Sequence, residues 1–365
     1  MSRPPRILAA DVGAGTTDLL LTRPGQPLEN AVKLVVPSRT QVVAAQIAAA
    51  TARGQTVVFA GPVMGGGASG GAMKAHVGAG HQFVATGDAA LTFADDPDKV
   101  RAAGARVVGD DVARELRSRL PAASLAEVRS GDLDVDGLRQ ALTRLGVEPA
   151  FDVVAVAVQD HGFEPDGSNR VFRFELWRQA VAERRHITDL FYAGEVPAAL
   201  TRLAAAAGLA RELADGGLTL VADTGPAALY GALPQASGDA VLVNVGNGHT
   251  ICAVALDGRI AGVFEHHTRR LDGPGLEERL RRFLAGRLDG DEVRRDGGHG
   301  AVLHPDAVGG GPLVSRLPLI VTGPRRSLLQ GSALPLEFAA PHGDMMLTGC
   351  FGLLRALADR DVDPG

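Results

Sequence analysis

The chain has 365 residues, a length that suits two domains better than a single hydrophobic core. Its 45% of apolar and 22% of charged residues are typical of a globular protein and exclude a disordered chain. The net charge of -5 argues against a surface for nucleic acid or acidic membranes. Because no segment approaches ~18 consecutive apolar residues and no signal-peptide pattern is present, we expect a soluble cytoplasmic protein.

The only cysteines are Cys252 and Cys350, which lie far apart and without C-x-x-C spacing. Both stand among apolar residues. This context favours buried free thiols over a disulfide, a zinc site or an iron–sulfur cluster.

The first motif occupies residues 6–22, where an apolar run ends at Asp11 and another begins after Asp18. The small residues between them predict a strand, a tight polar turn and a second strand. Gly13 and Gly15 allow the backbone to turn sharply and a ligand to approach the main chain closely.

This turn carries the groups that bind an anion. Backbone amides and the hydroxyls of Thr16 and Thr17 can surround a phosphate, and Asp11 can hold a metal that offsets its charge. No Walker lysine follows any glycine cluster, and Asp18 stands where a dinucleotide fingerprint needs its third glycine. A phosphate-binding hairpin is therefore favoured over those two loops, with an ordinary hairpin as the alternative.

Apolar periodicity predicts the other elements in chain order. Strands are predicted at 31–36, 56–60, 81–85, 151–158, 218–222, 259–264 and 317–324, with a strand–turn–strand at 239–255. Helices are predicted at 38–53, 111–120, 136–145, 174–183, 196–213, 223–233, 275–288 and 344–358. The glycine-dense stretch 65–71 is predicted as a solvated loop, with ligand contact as the alternative. The polar, helical segment 95–147 is expected to cover the first sheet.

The run at 151–158 is apolar throughout, which indicates a strand buried on both faces of a parallel sheet. Ligands of such sheets bind at the carboxyl ends of the strands, where Asp160 and His161 follow. Both are therefore site candidates. The alternative is that Asp160 caps a turn and His161 lies on the surface.

Residues 239–255 repeat the design of the first hairpin. An apolar strand ends near Asn244, the turn contains Gly246 and Gly248, and Thr250 opens the second strand. Gly13 and Gly246 are 233 positions apart, which indicates an internal repeat.

The order of these motifs resembles that of the actin-like ATPase superfamily, which includes actin, the seventy-kilodalton heat-shock chaperones, sugar kinases and dehydratase activators. The first hairpin, a P-A-A-L-Y-G helix, the second hairpin, an apolar strand ending at Gly323 and an apolar helix follow one another. The resemblance implies an α/β fold of two actin-like (ribonuclease H-like) domains around a nucleotide cleft. We expect these domains at residues 1–150 and 151–365.

The resemblance implies ATP and Mg²⁺ as cofactors. It implies phosphate loops at 11–18 and 244–250, an adenosine segment at 320–323, and inter-domain helices at 223–231 and 343–357. The candidate site residues are Asp160, Asp11 and Asn244 for catalysis, Asp11, Asp223 and His161 for metal, and Gly13, Ala14, Gly15, Thr16, Thr17, Gly246, Asn247, Gly248, His249, Thr250 and Gly323 for the nucleotide.

Two positions depart from the superfamily pattern. Asn244 stands where the second phosphate loop usually has an aspartate, and a neutral amide binds magnesium more weakly. Pro324 follows Gly323 where a second glycine is usual. These departures leave room for an altered nucleotide affinity or for another phosphorylated ligand.

Two short strings, at 159–162 and 296–300, are similar to those of an actin-like family whose members are often labelled pyruvate formate-lyase activating proteins. A radical activating enzyme needs three closely spaced cysteines for its cluster. Two distant cysteines exclude that chemistry here.

Histidines gather beside glycines or at a strand end. They are His161, His249, His266, His267, His299 and His342. One interpretation is a metal or phosphate site, for which His249 is the strongest candidate. The alternative is that each ring caps its own turn.

We expect an ATP-dependent phosphotransferase or ATPase that acts on a small molecule. In this mechanism Asp11 holds magnesium and Asp160 orients or deprotonates the attacking group. The alternatives are an ATPase switch or chaperone for a partner protein, and a divergent member that binds a phosphorylated ligand without hydrolysis. No nucleic acid or membrane partner is expected, while a homodimer or a protein partner stays open.

Overall fold

The computed structural model describes residues 4–234, 238–308 and 311–363. Within these ranges the strands are β1 (Ile7–Val12), β2 (Thr16–Thr22), β3 (Val32–Pro37), β4 (Thr56–Ala60), β5 (Phe83–Thr86), β6 (Arg106–Val108), β7 (Leu125–Arg129), β8 (Val153–Val158), β9 (Phe191–Tyr192), β10 (Leu218–Ala222), β11 (Ala240–Val245), β12 (His249–Leu256), β13 (Arg259–His267), β14 (Gly300–Leu303), β15 (Leu319–Thr322) and β16 (Leu336–Phe338).

The α-helices of the same ranges are α1 (Arg39–Ala52), α2 (Gly67–Gly78), α3 (Gly87–Ala90), α4 (Pro97–Ala102), α5 (Asp110–Arg119), α6 (Val135–Arg144), α7 (Asn169–Ala182), α8 (Thr201–Leu213), α9 (Thr224–Ala232), α10 (Gly273–Leu284), α11 (Gly290–Arg295), α12 (Pro305–Val308) and α13 (Thr348–Ala358). Short 3₁₀ helices lie at Leu28–Asn30, Ala122–Ser124, Ile187–Leu190, Thr268–Arg270, Leu313–Ser315, Arg326–Leu329 and Pro341–Gly343. No helix in the part of the chain that the structure describes is long and apolar enough to cross a membrane.

The first sheet has the strand order β3-β2-β1-β8-β10-β9. Strand β1 pairs antiparallel with β2 and parallel with β8, and β8 pairs parallel with β10. All six residues of β8 are buried, as its continuous apolar sequence predicts for a strand covered on both faces. The polar residues that follow β8 therefore leave the sheet beside the β1–β2 turn.

The second sheet has the order β14-β13-β12-β11-β15-β16. Strand β11 pairs antiparallel with β12 and parallel with β15, so it takes the position that β1 has in the first sheet. The strands β3-β2-β1-β8-β10 of the first sheet and β13-β12-β11-β15-β16 of the second thus have the same sequence of antiparallel and parallel pairings. This repeat confirms the predicted α/β fold of two actin-like domains.

Helices α9 and α13 lie in one hydrophobic core that includes residues of both sheets. The two helices cross at Gly231 and Gly352. A Cβ at Gly231 would overlap the carbonyl oxygen of Thr348, and a Cβ at Gly352 would overlap that of Ala227. The two backbones are in direct contact at these positions, so only glycine fits there. The N-terminal ends of both helices line the same cleft.

A third sheet, of order β6-β5-β4-β7, is parallel and is inserted in sequence between β3 and β8. Strands β6 and β7 come from the segment 95–147, which was expected to be helical and to cover the first sheet. The expectation is wrong for these two strands, which are short and partly exposed and therefore lack an apolar run. It holds for α6, whose Val135 and Leu142 lie in one hydrophobic cluster with residues of the first sheet.

The glycine-dense stretch was also predicted incorrectly. Residues 67–71 begin helix α2 instead of forming a solvated loop. The glycines serve close packing, since a Cβ at Gly66 would overlap the carbonyl oxygen of Thr92 and one at Gly67 would lie 3.2 Å from the Thr40 hydroxyl. The alternative of ligand contact stays open, because 65–67 line the cleft.

The predicted domain boundary at 150/151 falls between β1 and β8, which are hydrogen-bonded neighbours in the first sheet. That boundary does not separate the two sheets. We propose a division that follows them instead, with 4–37 and 153–234 in one domain, 238–347 in the other, and 56–129 as an insertion into the first.

Candidate functional site

A cleft of about 460 Å³ lies where the two repeated sheets face each other. Its walls are the β1–β2 and β11–β12 turns, the residues after β8, and the first turns of α9 and α13. All of these segments follow the ends of core strands or begin the two central helices. The fold therefore gathers the two halves of the sequence repeat at one place.

The two hairpin turns have the same backbone hydrogen bond. The amide of Gly13 donates to the carbonyl of Thr16 at 2.8 Å, and the amide of Gly246 donates to that of His249 at 2.9 Å. The turns also meet, since a Cβ at Gly15 would lie 2.7 Å from the side-chain amide nitrogen of Asn247. The structure thus brings the two predicted phosphate loops together.

Most of the predicted nucleotide contacts line the cleft. They are Gly13, Ala14, Thr16, Gly246, Asn247, Gly248, His249 and Gly323. Thr17 and Thr250 do not line it, because neighbouring residues of a strand point to opposite faces and these two point into the protein. The hydroxyl of Thr250 instead contacts that of Thr268 at 3.0 Å. Gly15 is also absent from the lining and lies where the two turns meet.

Asp11 and Asp18 face each other across the first hairpin as a cross-strand pair. Both line the cleft, and one carboxylate oxygen of each is buried without a hydrogen-bond partner. Burial and the charge of Asp18 raise the pKa of Asp11 well above its usual value. Burial raises the pKa of Asp18 to about 7, against a lowering by its hydrogen bond from Thr16. Two carboxylates that each have an unpartnered oxygen suit a hard divalent cation such as Mg²⁺.

Asp18 was not singled out from the sequence as a metal ligand. The hairpin prediction already contained the signal, because a turn centred on 13–16 places residues 11 and 18 opposite each other.

Asn244 occupies in the second hairpin the position that Asp11 has in the first. Its side-chain oxygen lies close to the adenosine segment, since a Cβ at Gly323 would be 2.5 Å from it. Gly323 has a φ of +98°, which favours glycine. The two halves of the cleft therefore differ in charge.

Arg173 of α7 lies between the buried carboxylate of Glu265 and the partly buried carboxylate of Asp223. Its guanidinium donates to Glu265 at 3.0 and 3.1 Å and to Asp223 at 2.7 and 3.0 Å, and to the carbonyl of Asp160 at 2.6 Å. Burial lowers the pKa of Arg173, but the two carboxylates raise it further, so the group stays charged. Arg173 thereby links the first sheet to β13 of the second.

This ion pair overturns the prediction of Asp223 as a metal ligand. Besides Arg173, Asp223 accepts hydrogen bonds from the amides of Asp160 at 2.8 Å and Gly225 at 2.9 Å, the latter as the N-cap of α9. Both of its oxygens are therefore occupied. Arg173 and Asp160 lie 50 and 63 positions from Asp223 along the chain, so no local pattern reveals these partners. The one sequence signal is Glu265, a charge inside an apolar strand.

Asp160 is also placed differently from the prediction. Its carboxylate accepts the amides of Gly162 at 2.7 Å and Leu203 at 2.9 Å, and it does not line the cleft. Burial raises its pKa, against a lowering by these two hydrogen bonds. Asp160 is thus the turn-capping aspartate of the alternative interpretation. Its neighbour Gln159 lines the cleft, and the Gln159 carbonyl accepts from Arg202 at 2.6 Å.

Four histidine rings gather at one side of the cleft. His161, His249 and His267 line it, while His299 is completely buried behind them. Burial lowers the pKa of His249 to about 3 and that of His299 to about 2, so both rings are neutral. His266 stands apart, because its nitrogens contact the carbonyl of His267 and the carboxylate of Asp296, each at 3.2 Å.

A family model described as "Putative pyruvate format-lyase activating enzyme (DUF1786)" matches residues 64–328, which is most of the chain. The chain belongs to this family. The resemblance stated from residues 159–162 and 296–300 is thereby confirmed. This chain has two cysteines, Cys252 and Cys350, and both are buried free thiols.

Several solved structures resemble the fold at low sequence identity. Ethanolamine utilization protein EutJ from Carboxydothermus hydrogenoformans is 15% identical over 98% of this chain and 90% of its own, with a TM-score of 0.35. MreB5 of Spiroplasma citri bound to ADP is 11% identical over 99% of both chains, with a TM-score of 0.36. The PilM–PilN type IV pilus biogenesis complex contains a chain 12% identical over 98% of this chain and 99% of its own, also with a TM-score of 0.36. No curated protein matches the sequence.

Proposed function

We propose that the cleft binds ATP with Mg²⁺ and that the protein is an ATP-dependent phosphotransferase or ATPase acting on a small molecule. The observation that carries this proposal is the contact between two hairpin turns that share the same backbone hydrogen bond. Turn amides on both sides of one cleft can clasp a chain of phosphates. Thr16 also lines the cleft, and its hydroxyl donates to Asp18.

Asp11 and Asp18 are the proposed ligands of Mg²⁺, directly or through water. Their unpartnered oxygens and raised pKa values support this role, because a bound cation would supply the missing positive charge. Magnesium neutralises charge on the transferred phosphate. Asn244, opposite in the cleft, contributes a neutral amide that can hydrogen-bond a phosphate oxygen or water.

Gln159 is the proposed orienting residue for the attacking group. It follows β8, lines the cleft, and has its backbone held by Arg202. A glutamine amide can orient an attacking water without removing its proton. Among the residues that the structure describes, this assignment replaces Asp160, whose carboxylate is bound by two amides.

Calorimetric titration with ATP, with and without Mg²⁺, tests the binding step. We expect Asp11→Ala to weaken Mg–ATP binding by about tenfold or more, or ~1.4 kcal/mol. The variant should stay folded, because it removes a buried carboxylate that has an unpartnered oxygen. Asp98→Ala, which removes an exposed carboxylate of α4, is the matched control. Unchanged affinity in Asp11→Ala would remove the proposed role of the first hairpin.

A second candidate is a protein that holds a phosphorylated ligand without hydrolysis. The neutral Asn244 and the engaged Asp160 favour it, since neither supplies a free base in the cleft. Measurement of ADP formation separates the candidates. Turnover that needs an added metabolite indicates a phosphotransferase, unstimulated turnover an ATPase or a partner-driving switch, and binding without ADP the second candidate. Absence of nucleotide binding would refute the main proposal.

A further inference from the structure

The histidine cluster is built by the ends of three neighbouring strands and one segment from the other sheet. His249 and His267 are a cross-strand pair of β12 and β13. His299 precedes β14, and its amide donates to the carbonyl of Glu265 on β13 at 3.0 Å. His161 comes from the opposite side, directly after Asp160 at the end of β8. The rings are thus brought together by the fold and not by a local sequence motif.

The rings lie close enough to share one ion. The ring centroids of His249 are 5.3 Å from His161, 5.0 Å from His299 and 4.5 Å from His267. One nitrogen from each of His161, His249 and His299 can be chosen so that all three lie within 4.8 Å of one another. Nitrogens bound to one zinc ion at 2.0–2.1 Å would be about 3.3 Å apart. Metal binding therefore requires the rings to move closer together.

The rings also lack the partners that a purely structural histidine would have. Both nitrogens of His249 are buried and make no hydrogen bond. The nitrogens of His299 are also buried, and the backbone of Arg170 lies beside that ring. A buried polar group without a partner costs free energy unless something else binds it. Among the residues that the structure describes, Glu265 is the carboxylate whose charge acts on His249 and His267, and its oxygens are already bound by Arg173. The cluster therefore offers neutral nitrogen ligands alone.

We propose that His161, His249 and His299 bind one divalent transition-metal ion, zinc or iron(II). Three imidazoles are a suitable ligand set for these ions, whereas Mg²⁺ prefers oxygen ligands. His161 and His249 line the cleft, so the remaining coordination position faces the cleft and is open to a ligand or to His267. This site is separate from the carboxylates of the first hairpin, and its existence does not depend on nucleotide binding.

The metal would join the two halves of the molecule. His161 follows β8 of the first sheet, while His249 begins β12 and His299 precedes β14 of the second sheet. An ion bound by all three rings stabilises the arrangement in which the cleft is closed on this side. Because His249 is also part of the second hairpin turn, the open coordination position lies beside the proposed phosphate site.

Titration of the purified, chelator-treated chain with Co²⁺, followed by its visible absorption, tests this site without measuring activity. Metal content after dialysis against Zn²⁺ is determined in parallel. The variants are His299→Asn and His161→Asn, and the control is His342→Asn. His342 lies outside the cluster, and its φ of +49° is one that asparagine adopts readily.

We expect one Co²⁺ per chain with a four- or five-coordinate spectrum, and a higher thermal midpoint for the wild type and His342→Asn when metal is added. Each cluster variant should bind Co²⁺ more than ~100-fold more weakly, since loss of a direct ligand exceeds the usual effect of losing an outer partner. Circular dichroism without metal establishes that the variants are folded. Should His299→Asn fail to fold, His161→Asn decides alone, because it changes a residue outside every helix and strand.

Two results would overturn the proposal. One is no Co²⁺ or Zn²⁺ binding by the wild type. The other is binding of equal strength in His161→Asn and in His342→Asn, which would assign the ion to another part of the surface. Loss of nucleotide binding with intact Co²⁺ binding would leave this site in place and remove only the proposed ATP function.

Discussion

Replacement of Arg173 by methionine tests how the two sheets are held together. The side chain of Arg173 is 5% exposed and lies between Asp223 and Glu265, which are 13% and 1% exposed. Arg173→Met keeps a long side chain of good helix propensity but leaves both carboxylates without their cation. Glu265 would then be a fully buried charge with no counter-charge.

Removing one partner of a buried ion pair typically costs about 3–5 kcal/mol, and here a single cation serves two carboxylates. We therefore expect the free energy of unfolding to fall by at least ~4 kcal/mol, out of about 5–15 kcal/mol for a typical domain. The triple variant with Asp223→Asn and Glu265→Gln should recover most of this loss, because it leaves no unpaired buried charge. Recovery separates the electrostatic cause from a simple packing defect.

Urea unfolding followed by tryptophan fluorescence is the measurement. Trp177 is the single tryptophan of the chain and lies one turn after Arg173 in the same helix. The matched control is Arg178→Met, which breaks only an exposed pair with Glu175 and should cost under about 1 kcal/mol. A loss for Arg173→Met no larger than that of the control would refute the reasoning.

Two further predictions concern positions with tight backbone contacts. Gly352→Ala should lower the free energy of unfolding by about 1–3 kcal/mol, because its Cβ meets the backbone of Ala227. The control Gly71→Ala, whose Cβ meets open space, should be neutral or stabilising. Equal midpoints of the two variants in thermal unfolding would contradict this prediction. Asp160→Ala should cost about 1–3 kcal/mol, because the buried amide of Leu203 loses its acceptor, and should leave ATP affinity unchanged. A rate defect without a lower midpoint would restore a catalytic role for Asp160.

The local elements could be predicted because each has its own apolar period. Strands β4 and β10 begin and end at the predicted residues, since each is an apolar run bounded by polar or glycine residues. Strands β6 and β7 could not be found in this way. Their residues are partly exposed, and their apolar pattern cannot be told from that of a polar helix. Tertiary pairing, not local sequence, makes them strands.

The site was predictable where the two hairpins repeat each other and not where distant side chains meet. Asp223 and Asp160 end core strands as ligand-binding residues do, and nothing near them in sequence reveals that Arg173 or the amide of Leu203 occupies them. The histidines were visible individually, but only the register of β12 with β13 shows that His249 and His267 are neighbours. The local sequence indicates where a residue lies along a strand, but it does not indicate which distant side chain that residue will contact.

The packing of α13 against the first hairpin has a consequence for how the chain folds during synthesis. The thiol of Cys350 donates to the carbonyl of Asp18 at 3.2 Å, across 332 positions of sequence. Strand β1 leaves the ribosome early, pairs with β8 only after the inserted sheet has been made, and is covered by α13 later still. Such distant contacts slow folding and leave apolar surface exposed in the meantime. The inserted sheet has a hydrophobic core of its own and can fold first. Its folding shortens the effective distance between β3 and β8 before α13 has been synthesised to cover the first sheet.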